Sequence, residues 1–314
     1  MKKTLSKGID IVIVGAGPAG ITAAIYAKQD NRNFRIFESK KTGWFAAVSA
    51  DSHYFIDGFP GTSGKLSGSE LMNSFNSHLK YLNIKVEKKE VVDIKRENKH
   101  FKIFLGNGEK ITTKTVILAT GTVPKRLNVK GEKELFGKGV SNFCTVDGDN
   151  FKGKKVVVVG GRNSGAVASI YLHKLGAKVV LVERDECLNA KAKYLKKIYK
   201  NKIDYELNTE VIEIIGSSKV EAVSVFNNKT KKENILRCDG VFVYIGLQPN
   251  NYLAKKLRLK LTKEGYVKIN DRCETSLRGI YAAGDITGNV KQIVVACGQG
   301  AVAAYNVNKY LLKS

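Results

Sequence analysis

The residues best placed to do chemistry in this chain are glycines and acids at nucleotide-binding spacing. The stretch Ile11-Val12-Ile13-Val14-Gly15-Ala16-Gly17-Pro18-Ala19-Gly20 opens with four β-branched residues, the pattern of a strand buried on both faces. The glycines that follow have separate tasks. Gly15 permits a tight turn, Gly17 lets backbone come close to a pyrophosphate, and Gly20 lets the next helix pack against the strand. A diphosphate at the start of that helix, beside Pro18 and Ala19, would meet open N–H groups and the positive end of the helix dipole. Glu38 closes a second apolar strand 23 residues after Gly15, where a carboxylate can accept hydrogen bonds from an adenosine ribose. Strand, glycines, helix, strand and acid in that order describe a dinucleotide-binding βαβ unit.

The pattern recurs. Val156-Val157-Val158-Val159-Gly160-Gly161-Arg162-Asn163-Ser164-Gly165 echoes the first stretch, and Glu183 follows Gly160 by the same 23 residues. Two such units imply two nucleotide sites, or a duplicated scaffold with one site lost.

The elements that must hold these residues are those of an α/β protein. Segments 84–86, 91–94 and 101–105 read as strands, and the last turns through Gly106-Asn107-Gly108 into 110–113 as a hairpin. Val116-Ile117-Leu118-Ala119 is a buried strand closed by Thr120-Gly121. The second repeat continues through strands near Ile203, Val211, Val220 and Val241 and ends in Gly246. The chain then returns to its first half. Residues 279–285 form a strand ending in Gly284-Asp285, and 293–312 a helix whose small residues, Ala296, Gly300 and Ala303 among them, allow close packing. The inner domain, 120–246, is therefore inserted into an outer one, 1–119 with 247–314.

Composition bounds the partners. Hydrophobic content of 43% and charged content of 26% are ordinary for a globular protein. The first eight residues begin like a secretory signal, but the apolar run after them is short, carries Asp10 and enters the glycine turn. No run approaches the ~20 apolar residues of a membrane helix. The expectation is a cytoplasmic protein with no membrane contact. Lys and Arg number 53 against 29 Asp and Glu, a net charge of +24 that attracts acidic partners or reflects lysine used as solvated surface. No nucleic-acid-binding motif accompanies the charge. The five cysteines, at 144, 187, 238, 273 and 297, form no Cys-x-x-Cys, so neither a metal knuckle nor a local redox dithiol can be written. Buried thiols are the expected state of most of them.

Taken together, Gly-Ala-Gly-Pro-Ala-Gly, Ala-Thr-Gly, Asp-Gly before a second fingerprint, Ile-Gly-x-x-Pro-Asn and Ala-Ala-Gly-Asp resemble bacterial thioredoxin reductase over almost the whole chain. The resemblance implies two Rossmann-like three-layer domains of the FAD- and NAD(P)-linked disulfide reductase type. It also implies a homodimer, FAD on the discontinuous domain and a nicotinamide nucleotide on the inserted one. By matching motif, Gly15, Gly17, Pro18, Ala19 and Gly20 would hold the FAD diphosphate and Glu38 the ribose. Val91, Thr120 and Gly121 would lie against the same nucleotide. Gly284 and Asp285 would meet the ribityl side, and Gln292 and Ile293 would face the flavin. Read alone, Gly284-Asp285 is also ordinary turn chemistry.

The departures bear on function. Family members carry Cys-x-x-Cys immediately before Asp-Gly, whereas here Phe143 and Val146 precede Asp147-Gly148. Cys144 falls between them, as a lone reactive thiol or, in the favoured reading, an inert core residue. A dithiol relay needs an attacking thiolate and a resolving partner, so the usual route to thioredoxin looks lost. In the second fingerprint, Gly160, Asn163, Ser164 and Glu183 remain, but Arg162 replaces the glycine that leaves room for pyrophosphate. It either blocks the dinucleotide or covers its phosphates, and the sequence leans to blockage. Of the family's arginine-rich segment only Arg184 survives, and Glu183 would repel a 2′-phosphate, so NADH is expected over NADPH if either binds. After Glu38, Thr42-Gly43-Trp44-Phe45 replaces the family's glycine pair and glutamine, and Gly58 takes the place of an asparagine. Trp44 and Phe45, with Tyr54 and Phe55, either stack on the flavin or fill core beneath a loop.

The expected activity is that of an FAD-dependent oxidoreductase passing electrons directly through the flavin, with an acidic ferredoxin or flavodoxin, or a nicotinamide, as partner. The alternatives are disulfide reduction through Cys144 and a non-catalytic FAD-binding protein.

Overall fold

A computed structural model describes residues 8–40, 42–43, 47, 56, 58–62 and 66–313. The chain divides into two compact units, Met1–Val123 with Gln248–Ser314, and Pro124–Leu247. The first crossing falls four residues beyond the 119/120 expected from sequence. Thr120 Oγ1 donates to the Asn250 carbonyl at 2.8 Å and the Asn250 N–H to the Gly121 carbonyl at 3.0 Å. Those bonds tie Thr120 and Gly121 to the returning chain.

In the first unit, β1 (Ile9–Val14) lies between β2 (Phe34–Glu38) and β6 (Lys110–Leu118), parallel to both. The sheet runs β3 (Val86–Lys88), β2, β1, β6, β5 (His100–Leu105), β4 (Val91–Glu97). On the side away from β1, β6 has two partners along its length. Its outer half pairs antiparallel with β5, completing the expected hairpin, and Val116–Leu118 pair parallel with β17 (Ile280–Ala282). Its burial follows suit, alternating in the outer half and continuous in the inner, as strands covered on one face and on two should be.

β1 sorts its side chains by parity. Ile11 and Ile13 enter one buried cluster with Ile21, Ile36 and Tyr281, while Val12 and Val14 enter another with Phe37, Ile94 and Leu118. Helix α1 (Pro18–Gln29) covers the first face beside the C-terminal helix Ile293–Leu312, with α2 (Gly68–Tyr81) at its flank. The small residues serve that contact. A side chain on Gly300 would fall on the Ala19 carbonyl. At the sheet edge Arg35 pairs with Glu87 at 2.6 Å and Glu109 at 2.8 Å, and Lys89 with Glu109 at 2.6 Å.

In the second unit, β9 (Lys155–Val159) is central in a parallel sheet of β11 (Asp204–Glu206), β10 (Lys178–Val182), β9, β15 (Gly240–Val243) and β8 (Val140–Ser141). Val156 and Val158 face one cluster, Val157 and Val159 the other. A separate antiparallel sheet joins β12 (Thr209–Ile215), β13 (Ala222–Asn227) and β14 (Lys232–Arg237). Between β8 and β9 comes α3 (Cys144–Asp147), and between β9 and β10 comes α4 (Asn163–Lys174).

Candidate active site

In the first unit the turn after β1 has the shape its glycines allow. Gly15 has φ +103°, and a Cβ on it would strike the Ala119 carbonyl. A Cβ on Gly20 would strike the Gly15 carbonyl, so the start of α1 sits tight on the turn. Gly17 is different. Its backbone is extended (φ −78°, ψ −175°), and a Cβ there would meet no atom of the described residues within 4 Å. It borders open space at the N-terminus of a twelve-residue helix with no side-chain cap.

Glu38 fixes this turn. Its Oε2 accepts the Ala16 N–H at 2.9 Å and its Oε1 the Lys40 N–H at 2.9 Å, while the Gly43 N–H returns to the Ala16 carbonyl at 2.8 Å. A carboxylate so held keeps lone pairs for a ribose hydroxyl.

A second loop closes on the same place. A Cβ on Gly284 would lie 2.9 Å from that of Ala19. Asp285 follows, largely buried, and burial pushes its carboxyl above the ordinary aspartate range against the opposing influence of Lys291 and Thr122. The Thr122 hydroxyl lies 3.5 Å from Asp285 Oδ2. Gln299 was not singled out from sequence. Its Oε1 accepts the Gly284 N–H at 2.8 Å and the Thr287 hydroxyl at 3.1 Å. No spacing rule marks such a residue, which acts only because its helix passes this turn.

The glycine turn, Ala119–Gly121 and Gly284–Asp285 thus meet at the carboxyl ends of β1, β6 and β17, where open α/β sheets bind ligands. An open floor at Gly17, an uncapped helix start and a tethered acid fit an adenine dinucleotide diphosphate such as that of FAD. Gln292 is exposed at the N-cap of the C-terminal helix, with its Oε1 3.7 Å from where a Gly58 Cβ would stand. Ile293 is half-buried beside it, and Val91 is buried at the start of β4 among core residues. Trp44, Phe45, Tyr54 and Phe55 lie outside the described residues.

The second unit repeats the glycine turn and the two backbone bonds to its acid. Gly160 has φ +113° and Gly165 abuts its carbonyl. The Gly161 N–H donates to Glu183 Oε2, and the Asp185 N–H to Glu183 Oε1 at 3.1 Å. Arg162, Asn163 and Ser164 are exposed at the start of α4, and Asn163 Oδ1 accepts the Lys191 N–H at 2.8 Å. Arg184 lies 3.7 Å from Asp185.

Phe143 and Val146 occupy the two positions at which the resemblance places the family's cysteines, as the sequence indicates. Phe143 is the half-buried N-cap of α3, and Val146 is 53% exposed. Cys144 points the other way, 4% exposed in the cluster with Val158, Ala168 and Leu172, and its N–H donates to the Tyr244 hydroxyl at 2.9 Å. Ser141 Oγ donates to Asp147 Oδ2 at 2.6 Å and accepts the Phe143 N–H at 3.0 Å, bracing the same turn. None of the five cysteines is disulfide-bonded. Cys187 is exposed and Cys297 half-buried, and burial raises the Cys238 thiol to about 12 and that of Cys273 to about 11. Among the described residues no cluster of His, Cys, Asp or Glu is placed to hold a metal.

Paired dinucleotide folds, one inserted in the other, define a flavin-dependent oxidoreductase with the architecture of the FAD- and NAD(P)-linked disulfide reductases. Residues 9–300 match the family model described as pyridine nucleotide-disulphide oxidoreductase, and the chain belongs to that family. It is 37% identical over 308 residues to thioredoxin reductase of Bacillus subtilis, covering 96% of this chain and 94% of the relative. It is 33% identical over 316 residues to the 34.2 kDa protein in the rubredoxin operon of Clostridium pasteurianum, covering 97% and 98%. Among solved structures, the thioredoxin reductase of T. acidophilum matches with a TM-score of 0.86 at 37% identity, over 97% of this chain and 99% of that one.

Proposed function

We propose that this oxidoreductase passes electrons directly between FAD and its partners, without a dithiol of its own. The observation that carries the reading is the pair Phe143 and Val146 at the cysteine positions, with Cys144 turned into the core. A thiol enclosed in the core lacks the exposure that exchange requires.

Bound FAD would supply the capacity to take up and release an electron pair. The chain's own residues bind and orient it. Gly15, Gly17 and Gly20 shape the diphosphate turn, Glu38 meets the ribose, and Asp285, Gln292 and Ile293 border the flavin side. In the second unit Glu183 supports NADH over NADPH. Its buried carboxylate is fixed by two backbone N–H groups and would oppose a 2′-phosphate, and the nearby Arg184 already lies beside Asp185. The +24 charge supports an acidic electron-carrier protein of the ferredoxin or flavodoxin kind, and the rubredoxin operon of the Clostridium relative supports a carrier of similar scale. A cytoplasmic homodimer completes the reading. Among the described residues no helix is long and apolar enough to cross a membrane.

Stopped-flow reduction by NADH, NADPH and reduced ferredoxin, in separate runs, tests the donor. Anaerobic titration tests the dithiol. The flavin alone takes one electron pair, and a redox-active disulfide would take a second. Uptake of a second pair overturns the reading in favour of a protein disulfide, and thioredoxin reduction abolished by Cys144→Ser overturns it in favour of a relay through Cys144, as the thioredoxin reductase relatives would suggest.

A further inference from the structure

We propose that Arg162 clamps the diphosphate of a nucleotide held by the second unit, in place of the open floor that Gly17 provides in the first. The inference rests on the reading that the second unit takes NADH.

Backbone conformation comes first. Gly17 has φ −78° and ψ −175°, and Arg162 has φ −85° and ψ −176°. Both are extended at ψ and lie at negative φ, so arginine enters this position without strain. The rest of the turn is retained: the positive φ of Gly160, the close approach of Gly165, and the Gly161 N–H on Glu183. One residue of an otherwise intact phosphate turn has changed.

Space comes second. A Cβ at Gly17 meets no atom of the described residues within 4 Å, and at the matching position Arg162 is exposed. Its side chain makes no hydrogen bond or ion pair among the described residues, so none of these holds the guanidinium. It springs from the residue just before α4, a twelve-residue helix whose N-terminus has no side-chain cap.

Chemistry comes third. Glycine contributes only room. A guanidinium presents a planar fork that takes two phosphate oxygens at once, and its charge adds to the dipole of the helix. Blockage, favoured by sequence, would require the side chain to be pinned across the turn, and no such contact holds it.

The test is calorimetric titration of the FAD-loaded protein with ADP-ribose and with AMP. ADP-ribose carries the diphosphate but cannot reduce the flavin, and FAD keeps the first unit filled. Arg162→Gly is expected to weaken ADP-ribose by roughly 10- to 100-fold, the worth of hydrogen bonds to a charged group. Arg162→Lys, which keeps charge but loses the fork, falls between, and AMP, with one phosphate in place of two, loses less than ADP-ribose in both variants. Tighter ADP-ribose binding by Arg162→Gly overturns the clamp in favour of a plug, and equal binding makes Arg162 a bystander. Both results leave the proposed function standing. If neither wild type nor Arg162→Gly binds ADP-ribose, the clamp and the NADH assignment fail together, and flavin reduction by ferredoxin then reads the remaining function separately.

Discussion

Ala16 and Glu38, 22 residues apart, are joined by a 2.9 Å hydrogen bond from backbone N–H to carboxylate, so the acid we propose for the ribose also shapes the glycine turn. Glu38→Ala removes that acceptor and is expected to lower stability by about 1–3 kcal/mol, the range for leaving a donor unsatisfied. Denaturant unfolding reads the stability, and flavin fluorescence reads FAD binding, which should weaken by an order of magnitude or more. Glu38→Gln keeps an oxygen for Ala16 and should recover part of both losses.

Two glycines of the C-terminal helix, α5 (Ile293–Leu312), should respond in opposite directions. Gly298 faces open space, and Gly298→Ala is expected to stabilise by about 0.5–1 kcal/mol through helix propensity alone. Gly300 lies on the Ala19 carbonyl, and Gly300→Ala should destabilise by about 1–3 kcal/mol by pushing this helix off α1. Thermal unfolding of the two variants side by side checks the sign of each.

The α3 turn offers a gain-of-function test. Phe143→Cys with Val146→Cys places thiols at the N-cap and third residue of a helix, where the dipole favours a thiolate. The double variant is expected to take up an additional electron pair in anaerobic titration, and either single variant is not.

Acid should weaken the first unit through its edge network. Lys89, then Arg35, holds the Glu109 carboxyl down to about 2, below its ordinary 4.5, and Arg35 lowers Glu87. A depressed carboxylate contributes stability that is present above the ordinary value and lost as pH falls through the folded one. The loss should therefore run from about pH 4.5 toward pH 2. In Glu109→Gln the acid limb of a Tm–pH profile should flatten over that window, and the two proteins should converge at its lower end.

Much of this was legible in the sequence because it is local. Four β-branched residues, a glycine triplet and an acid at fixed distance dictate β1, α1 and β2 whatever surrounds them, and the same signals wrote the second unit. The Lys232–Arg237 strand escaped notice because its residues are mostly exposed and its lysine and glutamate carry no apolar alternation. The first crossing lies four residues past 119/120, and the Thr120–Asn250 bond at that join links residues 130 apart, which no local signal marks. Gln299 was invisible for the same reason. Cys144 stayed open between two fates in the sequence, since only packing against β9 and α4 tells a core thiol from a reactive one. Arg162 was read by its bulk, which composition shows, and not by its surroundings, which it does not.

The divided loyalty of β6 sets an order of assembly. Its inner half has no lasting neighbour on one side until residues 280–282 arrive, long after the ribosome has finished the inserted unit. The inserted unit, whose sheet is complete within 124–247, can therefore fold as it emerges, while the outer unit waits half-built around it. The glycine turn and Gly284–Asp285, which meet only once β17 has paired with β6, are therefore the last parts of the candidate site to come together.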